Sequence, residues 1–137
     1  MNIVDSSGWL EYFANGPNSD FFAPVIEDVS QLIVPVISIY EVFKKVLQQR
    51  GEGDALQAIA VMSQGKVIEL DIKLSLSAAK ISVDLGIPMA DSMMLATAKA
   101  FHATLWTQDE DFKAIEGVRY IKVQGPRIKE KGTKKKR

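Results

Sequence analysis

Four carboxylates hold comparable places along this chain. Asp5 closes an apolar run at the N-terminus, Glu41 follows the apolar run 32–36 by five residues, Asp91 comes three residues after Pro88, and Asp109 two residues after Thr107. Carboxylates crowded into one place repel one another and tend to hold protons, so a gathered set costs stability unless a cation joins it. The chain has no Cys and a single His, His102, so thiolate metal sites are excluded and oxygen is the main donor. If the fold gathers the four acids, the predicted chemistry is binding of a hard divalent ion, Mg²⁺ or Mn²⁺.

Each acid also has a local account. Ser38-Ile39-Tyr40-Glu41 and Thr107-Gln108-Asp109-Glu110 both fit a capping box. An acid just after Pro88 complements a helix dipole in its first turn. Asp5 is followed by Ser6, Ser7 and Gly8 and could cap a helix, although the serines would serve equally well.

The elements that would position these residues alternate. Short apolar runs at 2–5, 32–36, 67–70, 104–107 and 119–123 read as buried strands. Between them lie helical patterns. Phe21, Val25 and Val29 with Phe22 and Ile26 form one stripe, and Tyr40, Phe43 and Leu47 with Val46 form another. Further helices are predicted over 54–64, over 74–85 with Gly86 as the stop, and from Pro88 to about His102. Trp9, Tyr12 and Phe13 ahead of Gly16-Pro17 fit an amphipathic helix that offers a partner surface. Near-continuous apolar strands joined by helices imply a parallel sheet covered on both faces, a three-layer α/β/α sandwich. Ligands of such sheets bind outside the carboxyl ends of the strands, which is where Asp5, Glu41 and Asp109 fall. Asp91 joins them if its helix begins at the same edge.

Charge narrows the function classes. The 137 residues carry seventeen bases and seventeen acids, but the segment 127–137 alone holds seven Lys/Arg and one acid, which leaves ten bases against sixteen acids in 1–126. A net acidic body does not grip nucleic acid by bulk charge, so any such contact must run through a metal and local basic groups. The expected organisation is one domain over 1–126 and a basic, disordered tail over 127–137. No apolar run approaches the roughly 18 residues of a membrane span and no basic leader opens the chain, so a cytosolic protein is expected. No glycine-rich phosphate loop appears, which removes support for dinucleotide or P-loop binding.

The residues Ile3-Val4-Asp5-Ser6-Ser7, Ser38-Ile39-Tyr40-Glu41-Val42, Pro88-Met89-Ala90-Asp91 and Leu105-Trp106-Thr107-Gln108-Asp109-Glu110-Asp111-Phe112, in this order and spacing, resemble the PIN-domain nucleases, and among them the VapC-type toxins. The resemblance spans Ile3 to about Val123. It implies a parallel sheet of about five strands, Mg²⁺- or Mn²⁺-dependent hydrolysis of RNA, a homodimer, and a cognate antitoxin. Carried onto this sequence, it makes Asp5, Glu41, Asp91 and Asp109 the metal-binding and catalytic acids. Ser6 and Thr107 become hydroxyls that orient carboxylates or bound water, and Asp111 an outer acid or a first-turn helix residue. A basic tail is not required by the family and reads as a solvated segment or an auxiliary RNA contact.

Competing readings are a receiver-like signalling domain, with Asp71 as phosphoacceptor, a PIN nuclease of RNA maturation, and a catalytically silent PIN-like binding module. Paired acids after the first strand are missing for a receiver, and Glu41 would have no task there. His102, near a helix C-terminus, reads as structural. Met89, Met93 and Met94 read as packing the core or a partner surface, and Lys44, Lys45 and Arg50 as a solvated helix face.

Overall fold

A computed structural model describes residues 1–125 of the chain, so the basic tail expected over 127–137 lies outside the described residues. Five strands, β1 (Asn2–Val4), β2 (Leu32–Pro35), β3 (Lys66–Ile68), β4 (Thr104–Thr107) and β5 (Val118–Tyr120), form one sheet in the order β3-β2-β1-β4-β5. All four pairings are parallel, with Ile3 opposite Ile33 and Leu105, and Val4 opposite Trp106. Six helices make the crossovers: α1 (Ser6–Phe13), α2 (Ser19–Glu27), α3 (Val36–Arg50), α4 (Glu52–Met62), α5 (Ile72–Leu85) and α6 (Met89–Ala100).

The pleat sorts the core into two layers. Val4, Leu32, Val34 and Trp106 face a cluster built with Trp9, Phe22, Val42 and Met62, under α1 to α4. Ile3, Ile33 and Leu105 face the other way, onto Met94, Leu95 and Phe112. Alternate side chains of one strand point to opposite faces, so a strand that is apolar at every position must be covered twice. The sandwich predicted from the sequence is the one observed.

Two glycines are required by geometry. A Cβ on Gly8 would stand 2.6 Å from Phe22 Cε1 and 2.7 Å from Val4 Cγ1, so α1 can lie this close to β1 and α2 only without a side chain there. Gly86 ends α5 in the left-handed conformation at φ 66°.

Several local expectations are corrected. The first strand ends at Val4, and Asp5 is the N-cap of α1. Val29 lies in a 3-10 turn beyond α2. The box proposed at Ser38 does not form, because α3 starts directly after Pro35, and the Ser38 hydroxyl, inside the first turn, donates to Pro35 O at 2.7 Å. Glu41 therefore sits in the second turn of its helix. Trp9 is fully buried and stacks on Phe13 with ring centroids 5.7 Å apart, so it is core and not a partner surface. Met94 is core as expected, whereas Met89 is exposed.

Candidate active site

The chain runs from β1 to β2 on one side and returns to β4 on the other, so the carboxyl ends of β1 and β4 meet at the point where the strand order reverses. Asp5 emerges from β1 there. Its N–H donates to Trp106 O at 2.9 Å, the last rung of the β1–β4 ladder, which fixes the backbone from which the carboxylate projects. Asp5 is 4 % exposed, and its Oδ2 accepts from Ser7 Oγ at 2.8 Å and from Thr107 Oγ1 at 2.9 Å. Burial pushes the Asp5 carboxyl above the ordinary carboxylate value, and Asp109 adds to that, while the two hydroxyls oppose it.

Thr107, fully buried at the end of β4, works in both directions. It donates to Asp5 and accepts the Asp109 N–H at 2.9 Å, so one hydroxyl connects the two strand ends. Asp109 Oδ1 accepts the Asp111 N–H at 2.9 Å and caps a short 3-10 turn, Glu110–Phe112. The capping box proposed for Thr107 to Glu110 is replaced by this arrangement, in which Asp109 is the N-cap. Asp91 enters from the first turn of α6, which does begin at the same edge.

One carboxylate oxygen from each of Asp91, Asp109 and Asp111 lies within 4.8 Å of the others. Asp5 and Glu41 are not members of that tight group, yet both act on it. The Asp91 carboxyl is pushed up to about 7, first by desolvation and then by Asp109, Asp5, Asp111 and Glu41 in that order. Glu41 is held at the rim, where its Oε1 accepts from Ser6 Oγ at 2.6 Å. Ser6 and Thr107 thus both orient acids, Ser6 through Glu41 and Thr107 through Asp5. Asp111 is a first-turn residue and a member of the acid group at once.

Among the described residues the one ion pair is Arg50–Asp54, at 3.8 Å on the surface, so none of the clustered acids is held in an ion pair. Oxygen donors alone, closely spaced and with a raised Asp91 carboxyl as the cost of leaving them bare, fit a hard divalent ion. Cys is absent and His102 is not in the group, so zinc has no such match.

Sequence reasoning missed Ser7, Gln108 and Asn18. Ser7 was visible only as one of two serines after Asp5. Asn18 is 2 % exposed, and its Nδ2 donates to Gln108 Oε1 at 2.9 Å and to Lys122 O at 3.0 Å. No local pattern announces contacts over separations of 90 and 104 residues. Asp71, the receiver candidate, lies beyond the edge strand β3 and spends Oδ1 on the Leu74 N–H at 2.8 Å as the N-cap of α5. Receiver sheets run 2-1-3-4-5, unlike this one.

The fold has solved counterparts. A toxin–antitoxin complex from Klebsiella pneumoniae contains a chain with 18% identity and a TM-score of 0.75, with 90% of this chain and 100% of that chain covered. VapC20 of Mycobacterium tuberculosis, a sarcin–ricin loop cleaving toxin, gives 15% identity and a TM-score of 0.70 over 91% of this chain and 100% of that one. DNA-bound VapBC of Salmonella typhimurium gives 16% identity and a TM-score of 0.70 over 89% and 98%. No curated protein matches the chain significantly. The PIN domain profile, in contrast, matches residues 3–118, a stretch that reaches from β1 to the start of β5 and takes in every acid of the site. On the strength of that match, the chain belongs to the PIN domain family.

Proposed function

We propose that this protein is a Mg²⁺- or Mn²⁺-dependent ribonuclease and the toxin of a VapBC-type toxin–antitoxin pair. The observation that carries the reading is the set of carboxylate oxygens from Asp91, Asp109 and Asp111 within 4.8 Å, next to buried Asp5 and in no ion pair among the described residues. Residues 1–126 constitute the nuclease domain, and Asp5, Glu41, Asp91 and Asp109 are its catalytic and metal-binding acids, with Asp111 beside them.

A bound divalent ion supplies Lewis acidity toward a phosphate oxygen and lowers the pKa of coordinated water. The chain's own residues do the rest. Asp91, Asp109 and Asp111 offer ligand oxygens at the strand edge. Asp5, with Oδ2 fixed by Ser7 and Thr107, keeps its carboxylate in one rotamer and adds negative charge where a cation is wanted. Glu41, tethered by Ser6, stands at the rim, where it can bind the ion or orient the attacking water.

The fold relatives support the toxin assignment: one cleaves the sarcin–ricin loop, and others were solved in toxin–antitoxin assemblies. The assignment brings with it an antitoxin partner, a homodimer and a cytosolic place of action. No helix among the described residues is long and apolar enough to cross a membrane, in keeping with this.

The test is cleavage of total RNA by the purified protein with Mn²⁺, with EDTA, and with Mn²⁺ restored. Cleavage that stops in EDTA, returns with the metal and is abolished in Asp5→Asn of unchanged circular dichroism is the expected result. Cleavage indifferent to EDTA removes the metal from the reaction, and undiminished activity in Asp5→Asn removes that residue.

A further inference from the structure

Two cavities meet beside the acids. A groove of about 540 Å³ between α1, α3 and α4 is walled by Leu10, Phe13 and Val61 and carries Lys45 and Arg50 alongside Glu11 and Asp54. A more open cleft holds Asp109, Asp111, Tyr120 and Lys122. Ser7 and Gln108 line both, so anything lying in the groove and reaching the acids must pass these two side chains.

The orientation of the Gln108 amide follows from its neighbours. Lys122 O can only accept, so the atom of Asn18 that faces it at 3.0 Å is the donor Nδ2, and Asn18 Oδ1 is left to accept from Gln124 Nε2 at 2.7 Å. The second hydrogen of Nδ2 then goes to Gln108 Oε1 at 2.9 Å, which makes that atom the carbonyl oxygen and the other end of the amide the NH₂. Gln108 Nε2 has one weak partner, Ser7 O at 3.4 Å, and so holds donor capacity in reserve at the junction of groove and cleft. Asn18 is buried and fully engaged, so the donor end is aimed before any substrate arrives.

We propose that Gln108 is a substrate-binding residue whose side-chain N–H groups, aimed by Asn18, donate to a phosphate oxygen of a single RNA strand that passes from the apolar groove to the acidic centre. The proposal rests on the ribonuclease reading and adds the contact and the route. A neutral donor suits this position. The acids repel the phosphates beside the one being cut, and a fixed N–H attracts a phosphate oxygen without competing as a cation for the carboxylates. The apolar walls match an unstacked base, which a duplex does not present.

The test compares Gln108→Glu and Gln108→Met with the parent. In Gln108→Glu the new carboxylate can still accept from Asn18, so that variant keeps the fold while losing the donor and adding a negative charge, and Gln108→Met removes the donor without adding charge. Affinity for a fluorescein-labelled single-stranded RNA dodecamer of mixed sequence is read by anisotropy with Mn²⁺ in the Asp5→Asn background, and KM and kcat are read with the same RNA in the otherwise native protein. Both variants are expected to weaken RNA binding and raise KM about tenfold, with the melting temperature of Gln108→Glu within about 2 °C of the parent. If affinity and KM stay within twofold in Gln108→Met, the contact does not exist. If only the melting temperature moves, Gln108 is structural and the proposal is wrong. Binding that depends on Gln108 in a protein that cleaves no RNA would overturn the ribonuclease reading and leave the contact standing; absence of RNA binding by the parent would end both.

Discussion

The Thr107 hydroxyl lies 2.9 Å from Asp5 Oδ2, across 102 residues of sequence, and joins the ends of the two adjacent strands β1 and β4. The same oxygen accepts the Asp109 N–H, so the placement of two acids depends on one buried group. Thr107→Val keeps the shape and removes the hydrogen bonds. Asp5 then keeps only one of its two hydroxyl partners, Ser7, and the Asp109 N–H loses its partner. The expected loss is about 1–3 kcal/mol of stability, the usual result of leaving buried polar groups unpaired. A tenfold to hundredfold fall in metal affinity or activity should accompany it, as is common when outer-shell partners are removed. Urea denaturation and Mn²⁺ titration by calorimetry measure the two effects, and a variant with wild-type Mn²⁺ affinity would show that Thr107 does not set the acids.

Asp91 gives the metal-free protein a pH dependence whose sign can be worked out. Its carboxyl lies at about 7 when folded against an ordinary 3.8, so between those values the folded chain keeps a proton that the unfolded chain has lost. Stability therefore falls as pH rises through this interval, and the Asp5 shift acts in the same direction. The partly buried position of Asp91 calls for a discount against the full shift, which leaves about 1–2 kcal/mol between pH 4 and pH 8. In EDTA, the melting temperature of wild type should drop over this range by several degrees more than that of Asp91→Asn, in which the titration is gone. Equal slopes in the two proteins would show that Asp91 carries no such burden.

Metal addition should reverse that trend. An ion that neutralises Asp91, Asp109 and Asp111 binds the folded chain and not the unfolded one, and stabilises by about 2.7 kcal/mol at a hundred times its dissociation constant. The melting temperature is expected to climb with Mn²⁺ at pH 7.5, and to climb much less at pH 5.5, where protons compete for Asp91. Asp109→Asn should lose most of the climb. A wild-type melting curve unmoved by millimolar Mn²⁺ and Mg²⁺ would contradict a metal site at these residues.

The sheet was legible in the sequence because its central strands β1 and β2 are largely buried and read as apolar runs, whereas the edge strands β3 and β5 are more exposed and carry Lys66 and Arg119. Asp5, directly after β1, and Asp109, two residues beyond β4, were legible with it. Where two elements abut without a loop, the local signals misled. Ser38 carries the chemistry of a cap, but the extended Pro35 leads straight into α3, and the serine falls within its first turn. Asp111 was undervalued because its local role and its place in the acid group belong to the same residue, and sequence shows only the first. Asn18 and Gln108 were out of reach for a different reason: their bonds depend on where the loop after α1 meets the segments after β4 and β5, and no periodicity records that meeting.

The burial of Trp9, unforeseen from its helical spacing, traces to Gly8, and Gly8→Ala tests that cause. The added methyl would stand 2.6 and 2.7 Å from Phe22 ring carbons and 2.7 Å from Val4 Cγ1. Phe22 and Val4 are both fully buried and held from behind by the core, so neither can yield as an exposed side chain would. Alanine normally stabilises a helix interior by about 0.5–1 kcal/mol relative to glycine, and overpacking of this kind costs typically 1–3 kcal/mol, so the steric effect wins. The expected outcome is a net loss of about 1–2 kcal/mol. Because α1 must move outward, Ser6 and Ser7 move with it, and the hydroxyls on Glu41 and Asp5 are displaced. Urea denaturation should show a lower midpoint at unchanged slope, and Mn²⁺ affinity should fall with it. A more stable Gly8→Ala protein would mean that helix propensity prevails and that α1 is not held against the sheet as tightly as these contacts require.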